Sequence, residues 1–184
     1  MNIIKPSVAL LEKKICRIPL LVSLYSRPYR EVIKNEIGLA QICAKDTVLN
    51  IGCGAVPFTA IQIAALTGAT VWAMDKDADA VKRASFCVEQ AGLDKRIQVM
   101  EGNGAYAVPS GFTVAIVALQ AEPKENILNS LLDASVAGGR LVFRRATKRF
   151  KQCYDLLPLK TNPVAEVKQR MQTFDGSVLY LKAG

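Results

Sequence analysis

The sequence predicts a doubly wound α/β fold in three layers, with a mostly parallel sheet and an antiparallel strand at its C-terminal end. Two observations predict it. Short, nearly continuous apolar runs at residues 48–51, 70–74, 97–100, 112–119 and 140–143 alternate with segments of helical character. Runs without polar alternation suit strands buried on both faces, the condition of a parallel sheet covered by helices on each side. In addition, no internal repeat, low-complexity tract or Pro/Gly-rich linker divides the chain. One domain over residues 1–184 is expected, with residues 1–45 as an N-terminal helical extension.

Within that extension, Ser26-Arg27-Pro28 suits a helix start, because proline near the first turn lacks an amide proton that would have no partner there. Val32, Ile33, Ile37 and Ala40 then recur at helical spacing, although Gly38 weakens the helix. The first strand, 48–51, runs into a glycine turn, and 58–66 is an almost wholly apolar helix. Strand 70–74 follows, then helix 78–91 stopped by Gly92, strand 97–100 and strand 112–119. A helix over 125–134 ends near Gly138-Gly139 and leads into the fifth strand. Asp175-Gly176 reads as a turn from which 178–181 returns in a hairpin.

Composition narrows the chemistry. The chain is 51% apolar and its mean hydropathy is +0.19, yet no apolar run reaches the roughly 18 to 20 residues of a membrane helix. Residues 18–25 are short and broken by Pro19 and Ser23, and they follow Lys13, Lys14 and Arg17 without a small-residue cleavage site. A signal peptide is therefore not expected. Cys16, Cys43, Cys53, Cys87 and Cys153 form no Cys-x-x-Cys pair and read as reduced thiols, which together suggest a cytoplasmic protein. With no histidine, Ser-His-Asp and Cys-His catalysis and His-ligated metals are excluded, and no metal site is expected.

The net charge of +8 permits contact with nucleic acid or an acidic metabolite. Its densest stretch, Arg144, Arg145, Lys148, Arg149 and Lys151, reads as a solvated face or an anion contact. Aromatic residues are not interleaved as a single-strand stacking platform requires, so nucleic acid is not the favoured partner.

The informative motif is Gly52-Cys53-Gly54 at the end of the first strand, with Asp75 ending the second about twenty residues later. In a Rossmann-like domain glycines let the backbone approach a nucleotide, and the acid accepts hydrogen bonds from a ribose diol. A helix N-cap or turn acid is the lesser alternative for Asp75, since Asp77 and Asp79 also crowd that helix start. Asn103, in Glu101-Gly102-Asn103-Gly104, is placed to reach a base or to shape a turn. Lys76 and Gly104 complete the candidate lining. Val56-Pro57-Phe58 stands where a dinucleotide enzyme would carry its third glycine, and no P-loop pattern exists. A nucleoside ligand without phosphates fits better.

These residues resemble a family. Residues 47–145 look like a class I S-adenosylmethionine (SAM) dependent methyltransferase domain. Within that superfamily the chain resembles nicotianamine synthase, particularly its archaeal form. Ile51-Gly-Cys-Gly-Ala-Val-Pro-Phe-Thr59, Ala118-Leu-Gln-Ala-Glu-Pro-Lys124 and Leu141-Val-Phe-Arg-Arg-Ala-Thr147 carry the likeness. Arg27-Pro-Tyr-Arg-Glu-Val-Ile-Lys-Asn-Glu36 is similar to the helix before the first strand in those enzymes. Two departures stand out. Of the synthases' additional N-terminal helical domain this chain is expected to hold at most a remnant. The usual methyltransferase acid two residues before the first glycine is Asn50, a weaker acceptor for an amino group.

The resemblance implies SAM as co-substrate and transfer of its aminocarboxypropyl chain to a small amine or amino-acid-like acceptor, releasing methylthioadenosine. Tyr29 and Glu122 are the candidate catalytic residues for proton handling. Glu36 and Arg144 are the candidate acceptor contacts, Arg144 through a two-pronged grip on a carboxylate. Alternatives stay open. A conventional methyltransferase of small molecules or RNA is one, although Gln120-Ala-Glu-Pro123 differs from the Asn/Asp-Pro-Pro-aromatic pattern of base-amine enzymes. A catalytically silent SAM-binding subunit, or a homodimer covering some of the high apolar content, is another.

Overall fold

A computed structural model describes residues 19–158 and 161–184, with side chains from Tyr29 onward. Expectations resting on residues 1–18, Cys16 and the early lysines among them, lie outside the described residues. The elements are α1 (Pro19–Ala40), β1 (Thr47–Ile51), α2 (Phe58–Thr67), β2 (Thr70–Asp75), α3 (Ala78–Gln90), β3 (Ile97–Glu101), β4 (Val114–Val117), α4 (Lys124–Ala134), β5 (Arg140–Ala146), β6 (Ala165–Lys168) and β7 (Phe174–Leu181). A 3-10 turn, Lys148–Phe150, follows β5.

The strands form one sheet in the order β3-β2-β1-β4-β5-β7-β6. The first five pair in parallel, and β7 and β6 add antiparallel. The alternating apolar runs thus build the expected doubly wound fold. Alternate residues feed two cores. Val48, Val71, Ala73, Ile116 and Val142 pack with Val32 and Ile33 of α1, Ala60 and Ile63 of α2, and Ala84 and Val88 of α3. Leu49, Ile51, Val117, Leu141, Phe143 and Tyr180 pack on the other face with Ile127, Leu128 and Leu131 of α4.

Three local readings are corrected. Helix α1 begins at Pro19, nine residues before Pro28. Pro19 occupies the first position, while Pro28 lies inside the helix, where a proline forfeits one backbone hydrogen bond. Asp175-Gly176 is not a turn but part of β7, and residues 169–173 make the turn. A Cβ on Gly176 would stand 2.7 Å from an Arg145 guanidinium nitrogen, so a side chain there would displace that flexible group. Strand β6 went unread, because Ala-Glu-Val-Lys at an exposed sheet edge has no apolar face to reveal it.

One side-chain cluster locks the amino end of the sheet. Arg140 of β5 donates to the carbonyl oxygens of Ala40 (2.7 Å) and Gln41 (3.2 Å), capping the end of α1, and also pairs with Asp46. The Asp46 carboxylate accepts from the Cys43 amide (2.8 Å) and the Thr113 hydroxyl (2.7 Å). Burial pushes the Asp46 carboxyl up. The Cys43 amide, the Thr113 hydroxyl and the Arg140 charge together outweigh it and hold the group below its ordinary value of 3.8.

A depressed carboxyl contributes stability that is fully present above the unfolded value and lost as pH falls through the folded one. Asp46→Asn is expected to lower stability near neutral pH by about 1.5 to 3 kcal/mol. Denaturant titrations at stepped pH should show that gap shrinking as the wild type is taken below the ordinary carboxylate range.

Candidate functional site

Where β1 leaves the sheet its two neighbours diverge in chain order, β2 on one side and β4 on the other. Open α/β sheets bind ligands in the crevice at such a reversal, outside the carboxyl ends of the strands. Here the Met74 carbonyl oxygen accepts from both Gly52 N (2.8 Å) and Cys53 N (3.1 Å), folding the turn back onto β2. Gly52 and Gly54 take φ of +75° and +69°, which side chains resist. A Cβ on Gly52 would also lie 3.1 Å from that of Ala118.

Asp75 holds the crevice together. One carboxylate oxygen accepts from Gly54 N (2.8 Å) and the other from Asp77 N (3.0 Å), so a single side chain sets both the β1–α2 and β2–α3 turns. It is not the helix cap. Asp77 takes that role, accepting from Asp79 N (2.9 Å) and Ala80 N (3.4 Å). Each Asp75 oxygen keeps acceptor capacity for a further donor. Lys76, next along, is exposed.

The β3 turn closes the other wall. Gly102 N donates to the Asp75 carbonyl oxygen (2.9 Å). The Asn103 side-chain oxygen accepts from Ala105 N (3.0 Å), so Asn103 shapes its own turn and leaves its amide donors for another partner. Gly104 is needed for packing, since a Cβ there would stand 2.8 Å from Ile51 Cγ2.

Beside the crevice lies a buried polar network that links residues far apart in sequence. Arg144, at 5% exposure, grips Glu36, at 0%, with both prongs at 2.9 Å, and donates to Thr59 Oγ1 at 3.0 Å. Glu36 also accepts from Ser177 Oγ (2.8 Å). Ser177 in turn accepts from Gln169 (3.2 Å), whose carbonyl oxygen accepts from Asn35 (2.9 Å). Burial pushes the Arg144 guanidinium down, but the charge of Glu36 outweighs it and leaves the group above its ordinary value. The fork foreseen for a ligand carboxylate is engaged within the protein.

Tyr29 joins the same wall. Its ring stacks on Phe58 at 6.5 Å and tilts against Phe174 at 6.3 Å, and the Arg144 guanidinium lies 5.6 Å above the Phe174 ring. Tyr154, also near Tyr29, has its phenol pushed up by burial and by the nearby Cys153 and Tyr29.

Glu122 is exposed on the loop after β4. That loop is pinned by Lys124, only 1% exposed, whose ammonium donates to the carbonyl oxygens of Leu119 (2.8 Å) and Ala121 (3.1 Å). Asp155 accepts from Lys124 N (2.7 Å), capping α4 in place of a local residue. Glu36 and Arg144 were both legible as candidates, but not their union across 108 positions. Thr59 stands in the Gly-x-Gly-x-x-Pro-x-Thr pattern, whereas nothing local marks Ser177, Gln169, Lys124 or Asp155. Asn50, 1% exposed, donates to the Ile116 carbonyl oxygen (3.2 Å), yet its own carbonyl oxygen is buried without a partner.

No family model matches the chain. L-histidine 2-aminobutanoyltransferase of Yersinia pestis is 31% identical over 120 residues, which are 65% of this chain and 45% of that protein. The chain therefore spans less than half the length of that curated relative. Among solved structures, a mutant of the nicotianamine synthase MtNAS in complex with S-adenosylmethionine superposes with a TM-score of 0.81 at 22% identity, over 97% of this chain and 73% of that one. MtNAS has also been crystallised in complex with MTA and tNA. An RNA methyltransferase from Salinibacter ruber, in complex with S-adenosyl-L-homocysteine, superposes at 0.67 with 19% identity, over 83% and 91% of the two chains. The fold is the Rossmann-like fold of SAM-dependent methyltransferases.

Removing one member of a buried ion pair strands the other charge, which costs about 3 to 5 kcal/mol. Glu36→Ala is expected to show that loss in denaturant unfolding. The double variant Glu36→Met with Arg144→Leu should be less destabilised than either single change.

Proposed function

We propose that this protein is a SAM-dependent transferase that moves the aminocarboxypropyl chain to a small amine or amino-acid-like acceptor. The observation that carries the reading is the Asp75 carboxylate anchored to Gly54 N at the point where the strand order reverses. It presents free acceptor capacity to a ribose diol beside two glycines that keep the backbone bare. Two further features favour a nucleoside with an amino-acid tail. No third glycine or phosphate cradle accompanies the turn. And the orphaned Asn50 oxygen, two residues before Gly52, supplies a buried acceptor for an ammonium.

In this reading Gly52, Cys53 and Gly54 line the donor, Asp75 takes the sugar, and Asn103 with Gly104 and Lys76 borders the base. The sulfonium carries three electrophilic carbons, and the one held in line with the nucleophile at roughly 3 to 3.5 Å reacts. Attack on the aminocarboxypropyl carbon forms a carbon–nitrogen bond, breaks the carbon–sulfur bond and leaves methylthioadenosine. The new ammonium must then lose a proton. Tyr29 is assigned to orient the amine and Glu122 to take the proton. Glu36 and Arg144 stiffen the acceptor wall on which Tyr29 stands. The name of the Yersinia relative and the MTA complex of MtNAS support this route over methyl transfer.

The adenosyl product tests the reading. Incubation of the protein with SAM and a metabolite extract is expected to yield methylthioadenosine. Adenosylhomocysteine would instead indicate methylation, and neither product would retire the transferase. Calorimetry separates the two halves of the donor site. Asp75→Ala should weaken SAM and methylthioadenosine alike by about 1.5 to 3 kcal/mol, the range of hydrogen bonds to a charged group. Asn50→Leu should weaken SAM by about 1 kcal/mol and leave methylthioadenosine, which lacks the tail, unchanged.

A further inference from the structure

The carboxyl edge of the sheet is electrically divided. Its β2–β3 end carries Asp75, Asp77, Asp79 and Glu101. At the far end, the loop after β5 carries Lys148, Arg149 and Lys151, and the β6–β7 hairpin carries Lys168 and Arg170. Backbone bonds bring the two loops together. Thr147 N donates to the Thr173 carbonyl oxygen (3.1 Å), and Gln169 N to that of Asp175 (2.8 Å).

All five cations are exposed, and none forms an ion pair among the described residues. The neighbouring carboxylates are already engaged. Asp175 and Glu166 both bind Arg145, and Asp155 accepts from the amides of Lys124 and Leu156. Five unpaired positive charges thus cover three adjacent strands, a width of roughly 10 Å. A small acid with two carboxylates would neutralise only two of them. A phosphodiester chain carries one charge per nucleotide along its whole length, so it can meet several of these cations at once where a small diacid cannot.

We propose that this rim is a binding surface for the phosphate backbone of a nucleic acid. The surface goes beyond the transferase reading and stands without it, because none of the five residues lines the donor crevice. Recognition here is electrostatic and independent of base sequence, consistent with the absence of an interleaved stacking platform.

Fluorescence anisotropy with a labelled, short single-stranded RNA tests it. Five contacts at about 0.7 each give a log–log salt slope near −3.5, so affinity should fall about a hundredfold between roughly 50 and 200 mM salt. The triple variant Lys148→Ala, Arg149→Ala, Lys151→Ala should bring the slope to about −1.4. The matched triple Lys45→Ala, Lys82→Ala, Lys95→Ala removes equal charge away from the rim and should leave the slope nearly unchanged. Equal losses in both triples would overturn the proposal, as would no RNA binding at low salt, or capture by phosphatidylserine vesicles with none by RNA. Unchanged SAM affinity in both triples would show that the folds are intact. Absent SAM binding in the wild type would count against the transferase reading alone.

Discussion

Carrying a carboxylate and a guanidinium out of water costs several kcal/mol per ion, and only a nearly complete set of partners offsets that cost. Glu36 and Arg144 meet the condition. The guanidinium divides its donors between Glu36 and Thr59, and Ser177 supplies the carboxylate with another. The pair therefore works as a geometric constraint more than as a source of net stability. It joins α1, α2, β5 and β7 at one point, and Gln169 extends it to the hairpin and to the Val32 carbonyl oxygen. The match ties α1, the helix that carries Tyr29, to the sheet.

The crevice at the end of β1 rests on a different kind of order. Nothing there is deeply charged. The turn is held by main-chain donors converging on the Met74 carbonyl and the Asp75 carboxylate, and those donors come from a strand end and two loop starts. Because both oxygens of Asp75 are already engaged, the carboxylate is oriented before any ligand arrives. Preorganisation of that sort reduces the ordering cost of binding. Gly104 adds to it by letting the β3 turn rest directly on Ile51.

The division of charge along one edge joins these halves. Acids cluster at the β2–β3 end and bases on the loops at the β7–β6 end, while the apolar wall of Tyr29, Phe58 and Phe174 stands on the Arg144 side. The loop after β5 begins just past the irregularity between Arg145 and Ala146, where the β5–β7 pairing shifts register. The fold thus places the two kinds of charge at opposite ends of one sheet edge.

Much of this was legible in the residues themselves. Unbroken apolar runs made the parallel sheet, and two glycines between a strand and a helix, with an aspartate ending the next strand, marked the crevice. These are local signals, because period, turn chemistry and spacing act within a few residues. What the residues alone left open was everything that depends on pairing across the chain. Glu36 and Arg144 were each visible as candidates, yet only the packed structure joins them. Asp75 had a helix cap as its lesser alternative until the hydrogen bonds gave the cap to Asp77. Strand β6 and the burial of Lys124 had no local signature, since a polar segment becomes an edge strand, and a lysine becomes a buried clamp, only through neighbours distant in sequence. The sequence by itself thus determined the layers and the glycine turn and aspartate that form the crevice. The tertiary structure decided which charged groups face one another, because partners remote along the chain meet only after the core has closed.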